Sequence, residues 1–290
     1  MTEQHLLALY GLKYNPFLPG LPAEALWQAP GSDPFFARLE TLLSQGGFAL
    51  ICGEPGLGKS KTLQRLAGHL ERLADVAVGV MERPQSGLGD FYRELGELFG
   101  VQLSPANRYG GFKALRARWR GHIKSSLWRP ILLVDEAQEV SSECLNELRL
   151  LGSAHFDSEC LLTTVLCGDG RLSDRFRTRE LLPLGSRIRT RLVLEALGHD
   201  QLLALLDFIL EQAGAPQLMT SQLRQTLCEH AAGNPRVLAN MGAELLAAGA
   251  ERELGTLDED LFFETFAKSL TPRRRQTPPR QAPAMAGRRG

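Results

Sequence analysis

No apolar run in this 290-residue chain reaches the roughly 18 residues that a bilayer-spanning helix needs. The N-terminus lacks the basic-then-apolar layout of a secretory leader. The expectation is therefore a cytoplasmic protein without membrane insertion. Cysteine is scarce: Cys52, Cys144, Cys160, Cys167 and Cys228 are scattered, odd in number and never spaced C-x-x-C. That pattern excludes a disulfide framework and offers no zinc site. The six histidines are equally dispersed, with none at metal-ligand spacing from a cysteine or another histidine. No internal repeat is visible.

Net charge is absent too, with 33 basic residues against 33 acidic ones. The balance hides an asymmetry. Residues 271–290 hold six arginines (Arg273, Arg274, Arg275, Arg280, Arg288, Arg289) and no acid. Setting those six aside leaves 27 basic residues against 33 acidic ones, so the body stands near −6. Bulk charge gives that body no attraction for nucleic acid, and any such contact needs a local patch or the tail. The tail, rich in Pro, Arg and Gln, reads as disordered. It either touches phosphate backbones without reading sequence or merely solubilises the chain end.

What the chain does contain begins at residues 53–60, GEPGLGKS, which fits G-x-x-x-x-G-K-[ST] without a gap. In such a loop Gly56 and Gly58 allow a tight turn that points backbone N–H groups inward at phosphate oxygens. Lys59 reaches the β- and γ-phosphates, and the Ser60 hydroxyl ligates Mg²⁺. Context supports the reading. Residues 48–52, FALIC, suit a buried strand. Leu63, Leu66, Leu70 and Leu73 then follow at helical steps. A helix N-terminus beside the loop adds its own pull on phosphate.

Elsewhere, residues 1–32 carry Pro16, Pro19, Pro22 and Pro30 and read as an irregular arm that packs against the body. Asp33-Pro34 starts a helix, with Asp33 as N-cap. Strands are expected at 76–81, 131–134, 161–167 and within 187–194, with helices at 89–100, 111–127 and 142–151. Alternation of this kind argues for a parallel sheet covered on both faces. After residue 199 the strands stop, and 199–213, 221–232, 235–249 and 257–269 read as four amphipathic helices. Trp119, flanked by Arg116, Arg118 and Arg120, leaves two readings open. Its helix is either a charged surface helix with one apolar anchor or a nucleic-acid-facing one.

The strand at 131–134 runs directly into Asp135 and Glu136. In a parallel sheet the strand ends all open toward one crevice, so Asp135 can approach Ser60. Asp135 is assigned to the metal side and Glu136 to polarising the attacking water.

Together GEPGLGKS, LLVDEAQE at 132–139 and GNPR at 233–236 resemble the AAA+ ATPases. Within that superfamily the chain resembles the group of ExeA-like secretion ATPases and transposition helpers of the TnsC, TniB and MuB kind. Tyr10-Gly11-Leu12-Lys13-Tyr14-Asn15-Pro16-Phe17 is similar to the opening of the ExeA-like group. The resemblance covers about residues 8–268. It implies ATP and Mg²⁺ as cofactors, a cradle of Gly53, Glu54, Pro55, Gly56, Leu57, Gly58, Lys59, Ser60 and Lys61, and an adenine pocket lined by Asn15 and Phe17. Asp169 falls where a polar sensor of the γ-phosphate is expected; an acid there fits poorly, and it can instead hold an arginine. Arg187, in GSRIRTR at 185–191, stands where such proteins place the arginine that reaches a neighbour's nucleotide. Arg187 and Arg191 are expected on one side of a strand with Arg189 opposite, and any of the three can serve. Arg236 matches the lid arginine that touches the γ-phosphate. A guanidinium suits these tasks because it is a permanently charged, planar fork for phosphate oxygens.

The expected fold is thus α/β, a parallel-sheet P-loop αβα domain followed by a small all-helical lid. The expected divisions are 1–45 (arm and first helix, on the adenine side), 46–196 (ATPase core), 197–269 (lid) and 270–290 (basic tail). The resemblance implies an ATP-dependent switch that self-associates as a ring or filament on double-stranded DNA and recruits or regulates a transposase. The alternative is an ExeA-like soluble ATPase of secretion or envelope assembly with no DNA dependence.

Overall fold

The computed structural model describes residues 2–82, 87–103 and 107–270, with side chains to residue 266. The arginine-rich end at 271–290, expected to be disordered, lies outside the described residues.

The strands β1 (Gly47–Gly53), β2 (Val78–Met81), β3 (Ile131–Val134), β6 (Thr163–Gly168) and β7 (Ile188–Leu194) form one parallel sheet in the order β2-β3-β6-β1-β7. Between β3 and β6 the chain adds a two-stranded hairpin, β4 (Ser153–Ala154) and β5 (Glu159–Cys160). Parallel pairing needs long crossovers, and helices supply them. They are α3 (Lys59–Leu70), α4 (Leu88–Phe99), α5 (Arg108–Ser126), α6 (Ser142–Gly152), α7 (Gly170–Arg175) and α8 (Leu182–Gly185), while α2 (Ser32–Gln45) precedes β1.

β1 lies between β6 and β7 and is buried along its length up to Gly53. Its side chains alternate between faces. Ala49 and Ile51 meet Phe35, Leu39 and Leu43 of α2 and Leu63 and Leu66 of α3. Phe48, Leu50 and Cys52 face a second core with Phe91 and Leu95 of α4, Leu115 and Trp119 of α5, and Leu145 and Leu148 of α6. Each fully buried Leu or Phe contributes about 1.5–3 kcal/mol, so these two layers hold the sheet's strand ends in fixed register.

A third core gathers α9 (His199–Ala213), α10 (Ser221–Ala231), α11 (Pro235–Glu251) and α12 (Glu259–Leu270). Thr220 and Asn234 cap α10 and α11 by accepting from the N–H groups of Leu223 and Arg236, at 3.2 and 3.0 Å. The four helices fall where the amphipathic periodicity put them.

Four local features depart from the sequence reading, one of them the start of α2, where Gly31 is the N-cap and Asp33 lies inside the first turn. The N-terminal stretch is not wholly irregular: α1 (Glu3–Tyr10) is a helix that ends on Gly11 in the left-handed region. Tyr10, Leu12 and Phe17 join the core of α9–α12, whereas α2 packs under the sheet. The hairpin and the short helices α7 and α8 had no counterpart among the expected elements. The expectation for β7 is also corrected. Arg189 and Arg191 are exposed on the same side of the strand, with Thr190 and Leu192 buried on the other. A period of two requires that, since residues two apart share a face.

Candidate active site

The phosphate loop is built where β1 stops. A Cβ on Gly53 would lie 2.5 Å from the carbonyl of Leu194, so only glycine lets β1 and β7 end side by side. Gly56 and Gly58 both sit at φ +90°, the left-handed region that turns the loop inward. Lys59 starts α3 and folds back over the loop. Its ammonium donates to the carbonyls of Gly53 (2.9 Å) and Glu54 (3.1 Å), and the side chain is almost wholly buried. Those two carbonyls hold the ammonium against the loop. Ser60 is exposed at the N-terminus of α3. Lys61 instead reaches out to the arm, donating to the Pro19 carbonyl, and burial lowers its pKa.

β6 separates β1 from β3, and the three ends converge. Asp135 follows β3 and accepts from the N–H of Glu136 at 2.9 Å. Asp135 and Lys59 both act on the buried thiol of Cys167 near the end of β6; burial pushes that thiol up, Asp135 pushes it further, and Lys59 pulls it down. The site therefore carries opposed charges around one strand end. Glu136 is left-handed at φ +47° and exposed. Its carboxylate accepts from the amide of Gln138.

One cavity of about 680 Å³ joins the phosphate loop and Glu136, and Asp135 and Asp169 are not part of its lining; its volume is within the size range of small-molecule sites. Gly56 to Thr62 and Glu136 form its polar side; Phe17, Leu26, Trp27, Leu205 and Ile209 line its apolar side. Arg236 faces it from α11, exposed and with no hydrogen bond or ion pair from its guanidinium among the described residues.

Residues 41–176 match the family model described as AAA domain. The chain is 30% identical over 234 residues to the general secretion pathway protein A of Aeromonas hydrophila, covering 79% of this chain and 42% of that protein. It thus spans less than half the length of that curated relative. Among solved structures it resembles a chain of Drosophila ORC bound to DNA, with TM-score 0.66 and 17% identity over 92% of this chain and 66% of that one. Cdc6p from Pyrobaculum aerophilum follows at TM-score 0.63 and 14% identity, over 88% and 71%. At such identities the likeness concerns the fold. Residues 41–176 form an AAA domain, and the phosphate loop within it is that of an ATPase.

In this ATPase the predicted Asn15 and Phe17 have separate tasks. Phe17 lines the cavity, and its ring fills the space over Gly242, where a Cβ would lie 2.5 Å away. Asn15 is not part of the wall. Its side-chain oxygen accepts from the N–H of Phe17 at 3.0 Å, which fixes the turn that aims the ring. Other apolar residues of the cavity, among them Leu26, Trp27, Leu205 and Ile209, carry no motif and were not among the expected site residues.

Asp169 caps α7 and binds Arg171, whose Nε lies 2.9 Å from the carboxylate. Arg171 holds the acid below its usual range. The alternative that Asp169 holds an arginine is what the geometry presents. Sequence reasoning missed Gln138, which is buried and joins both acids: it donates to Glu136 and accepts from the N–H of Asp169 at 3.2 Å.

Arg187 lies far from the phosphate loop, at the opposite end of the sheet. It pairs with Asp157 in the β4–β5 turn and donates to the Pro183 carbonyl. Arg189 donates to Gln45 at 2.9 Å, and no partner of Arg191 is present among the described residues. A side chain so placed lies outside the cavity of its own chain.

Proposed function

We propose that this ATPase is a nucleotide-gated switch that assembles on double-stranded DNA when ATP is bound and releases on hydrolysis, and that its output is recruitment or regulation of a transposase. The observation that carries the switching is the shared cavity, where the phosphate loop, Glu136 and the unpaired Arg236 of α11 face one another. A γ-phosphate there would draw Lys59 off its carbonyls and give Arg236 a partner. Nucleotide occupancy would thereby set the position of α9–α12 against the sheet. A magnesium ion is assigned to Ser60 and Asp135, since that ion is held by few carboxylates plus substrate phosphates; it would neutralise charge on the β- and γ-phosphates.

For hydrolysis, Glu136 accepts a proton from water as its oxygen attacks the γ-phosphorus. The bond from that phosphorus to the bridging oxygen breaks, and ADP leaves with the electron pair. Arg187, turned away from its own site, is assigned to a neighbour's γ-phosphate. Turnover then depends on assembly, and an arginine delivered in this way is worth about 10³–10⁵ in rate. Similarity to the fold of DNA-bound ORC is consistent with the DNA part, and the transposase rests on the resemblance of the motifs.

The test uses Glu136→Gln protein, a random-sequence duplex and fluorescence anisotropy, with ATP, with ADP and without nucleotide. ATP-dependent, salt-sensitive binding is the expected result. Absence of binding in every state rejects the DNA reading. It would favour the second reading, for which the 30% identity to general secretion pathway protein A speaks: an ATPase of secretion or envelope assembly, indifferent to DNA.

A further inference from the structure

The helix α5 stands apart from the acidic body. Its nineteen residues, RYGGFKALRARWRGHIKSS, contain Arg108, Lys113, Arg116, Arg118, Arg120 and Lys124 and no acid. The structure divides these cations into two sets. Three are committed to the fold. Arg108 pairs with buried Glu147, Arg116 donates to the carbonyls of Leu150 and Leu151 at the end of α6, and Arg118 donates to the Phe99 carbonyl at the end of α4. Trp119, buried against Phe99, anchors the inner face.

Lys113, Arg120 and Lys124 are the other set. All three are exposed. Lys113 lies 4.4 Å from the ring centre of exposed Tyr109, and no hydrogen bond or ion pair engages any of the three among the described residues. At 3.6 residues per turn they fall within about 40° of one another around the helix and span about 16 Å along it. Exposed Ala117 and Gly121 stand beside them, leaving the helix surface low between the cations.

We propose that this stripe of α5 binds the phosphate backbone of duplex DNA. Free cations without neighbouring acids on their helix, held on a helix whose inner face is fully anchored, suit a repeating anion. Over about 16 Å each DNA strand presents about five phosphates, at 3.4 Å of axial rise apiece. Small residues let the helix approach the backbone closely. A protein partner fits less well, because stable interfaces are built on large apolar or aromatic anchors. Between Tyr109 and Leu127 the stripe has none. The stripe contacts phosphate only, so it positions the protein without reading sequence.

This inference rests on the DNA part of the proposed function, and the experiment separates the two. Full-length chains are compared, Lys113→Ala/Arg120→Ala/Lys124→Ala against the parent, both with MgATP. Duplex affinity is measured by anisotropy between about 0.05 and 0.2 M salt. Unchanged nucleotide affinity and circular dichroism establish that the fold is kept, and Arg120→Ala alone serves as a milder variant. The slope of log affinity against log salt should become shallower by about 2.7 in the triple variant and about 0.9 in the single one, with affinity falling about tenfold or more. If the parent binds and the variants bind equally with the same slope, the stripe is not the contact while the DNA reading stands. A variant that keeps DNA binding but loses self-association in sedimentation also overturns the proposal and assigns the stripe to contact between copies. If the parent fails to bind in any nucleotide state, both proposals fall together.

Discussion

Asn234 packs directly against Gly56 of the phosphate loop. A Cβ on Gly56 would lie 2.4 Å from the Asn234 side-chain oxygen, a contact that only glycine permits. The Asn234 amide donates to the Pro55 carbonyl at 3.1 Å, and the backbone N–H of Arg236 donates to the Gly56 carbonyl at 3.2 Å. The first turn of α11 is therefore bonded directly to the phosphate loop. Asn234 also caps α11, so its two tasks can be separated. Asn234→Ser retains a capping oxygen and loses the reach to Pro55, whereas Asn234→Ala loses both. The alanine variant should cost about 1 kcal/mol of stability, read as a shift in the urea midpoint. The serine variant should stay within about 0.5 kcal/mol of the parent yet bind nucleotide with altered affinity. Equal nucleotide affinity for serine variant and parent would mean that the contact does not couple α11 to the loop.

Gln138 holds the base candidate. Its amide nitrogen donates to Glu136 and its oxygen accepts from the Asp169 N–H, while its own carbonyl accepts from Arg175 at 2.7 Å. Replacement by leucine keeps the volume and removes both side-chain bonds. We expect Gln138→Leu to bind ATP as the parent does and to lose about 10- to 100-fold in kcat, because it releases Glu136 without touching the phosphate loop. Such a loss corresponds to about 1.4–2.7 kcal/mol of transition-state stabilisation. An unchanged kcat would show that Glu136 needs no such support.

Much of this site was legible in the sequence because its parts are local. Residues 53–60 carry their own geometry in the glycine spacing, and Asp135 follows an apolar strand that reads as buried. Asn234 was legible only as part of a motif, because its partner Pro55 is 179 residues away and no periodicity records such a contact. The hairpin escaped for another reason. Its strands have two residues each, and His155, Phe156 and Asp157 adopt left-handed conformations without glycine, so the usual turn signals are missing. The first helix was obscured by four prolines that all lie beyond its end at Tyr10.

Arg187 and Asp157 form a pair whose strength should depend on pH in one direction. The arginine's hydrogen bond holds the Asp157 carboxyl below its usual range. A carboxylate with a depressed folded-state pKa stabilises the fold above its unfolded pKa of about 3.9, and the contribution disappears as pH falls through the folded value. Both side chains are partly exposed, at 31% and 49%, so the pair is worth at most about 1 kcal/mol. Asp157→Asn should therefore lower stability slightly at pH 7, and the gap to the parent should close in acid. Urea midpoints across that range measure it. A gap that widened as pH fell would contradict the assignment. The same variant also frees Arg187, so concentration-dependent ATPase activity should not fall.

Glu147 tests what holds the helical face of the sheet together. It is buried on α6, accepts from the hydroxyl of buried Tyr92 on α4, and pairs with Arg108 on α5. One carboxylate thus joins three helices, one of them α5, which carries the stripe proposed for DNA. Burial and then the hydrogen bond to this carboxylate keep the Tyr92 hydroxyl protonated far above its ordinary range. Removing Glu147 leaves two partners behind with unequal fates. Arg108 is half exposed and regains water, but the Tyr92 hydroxyl stays buried without an acceptor. Glu147→Ala should cost about 1–3 kcal/mol, the penalty of a buried hydroxyl left without a partner, seen as a lower urea midpoint at unchanged slope. Adding Tyr92→Phe removes the stranded hydroxyl and should restore about 1 kcal/mol. The order matters: Tyr92→Phe alone should destabilise, and the same change in the Glu147→Ala background should stabilise. If Tyr92→Phe destabilised both backgrounds equally, the contribution of the hydroxyl would not depend on the carboxylate.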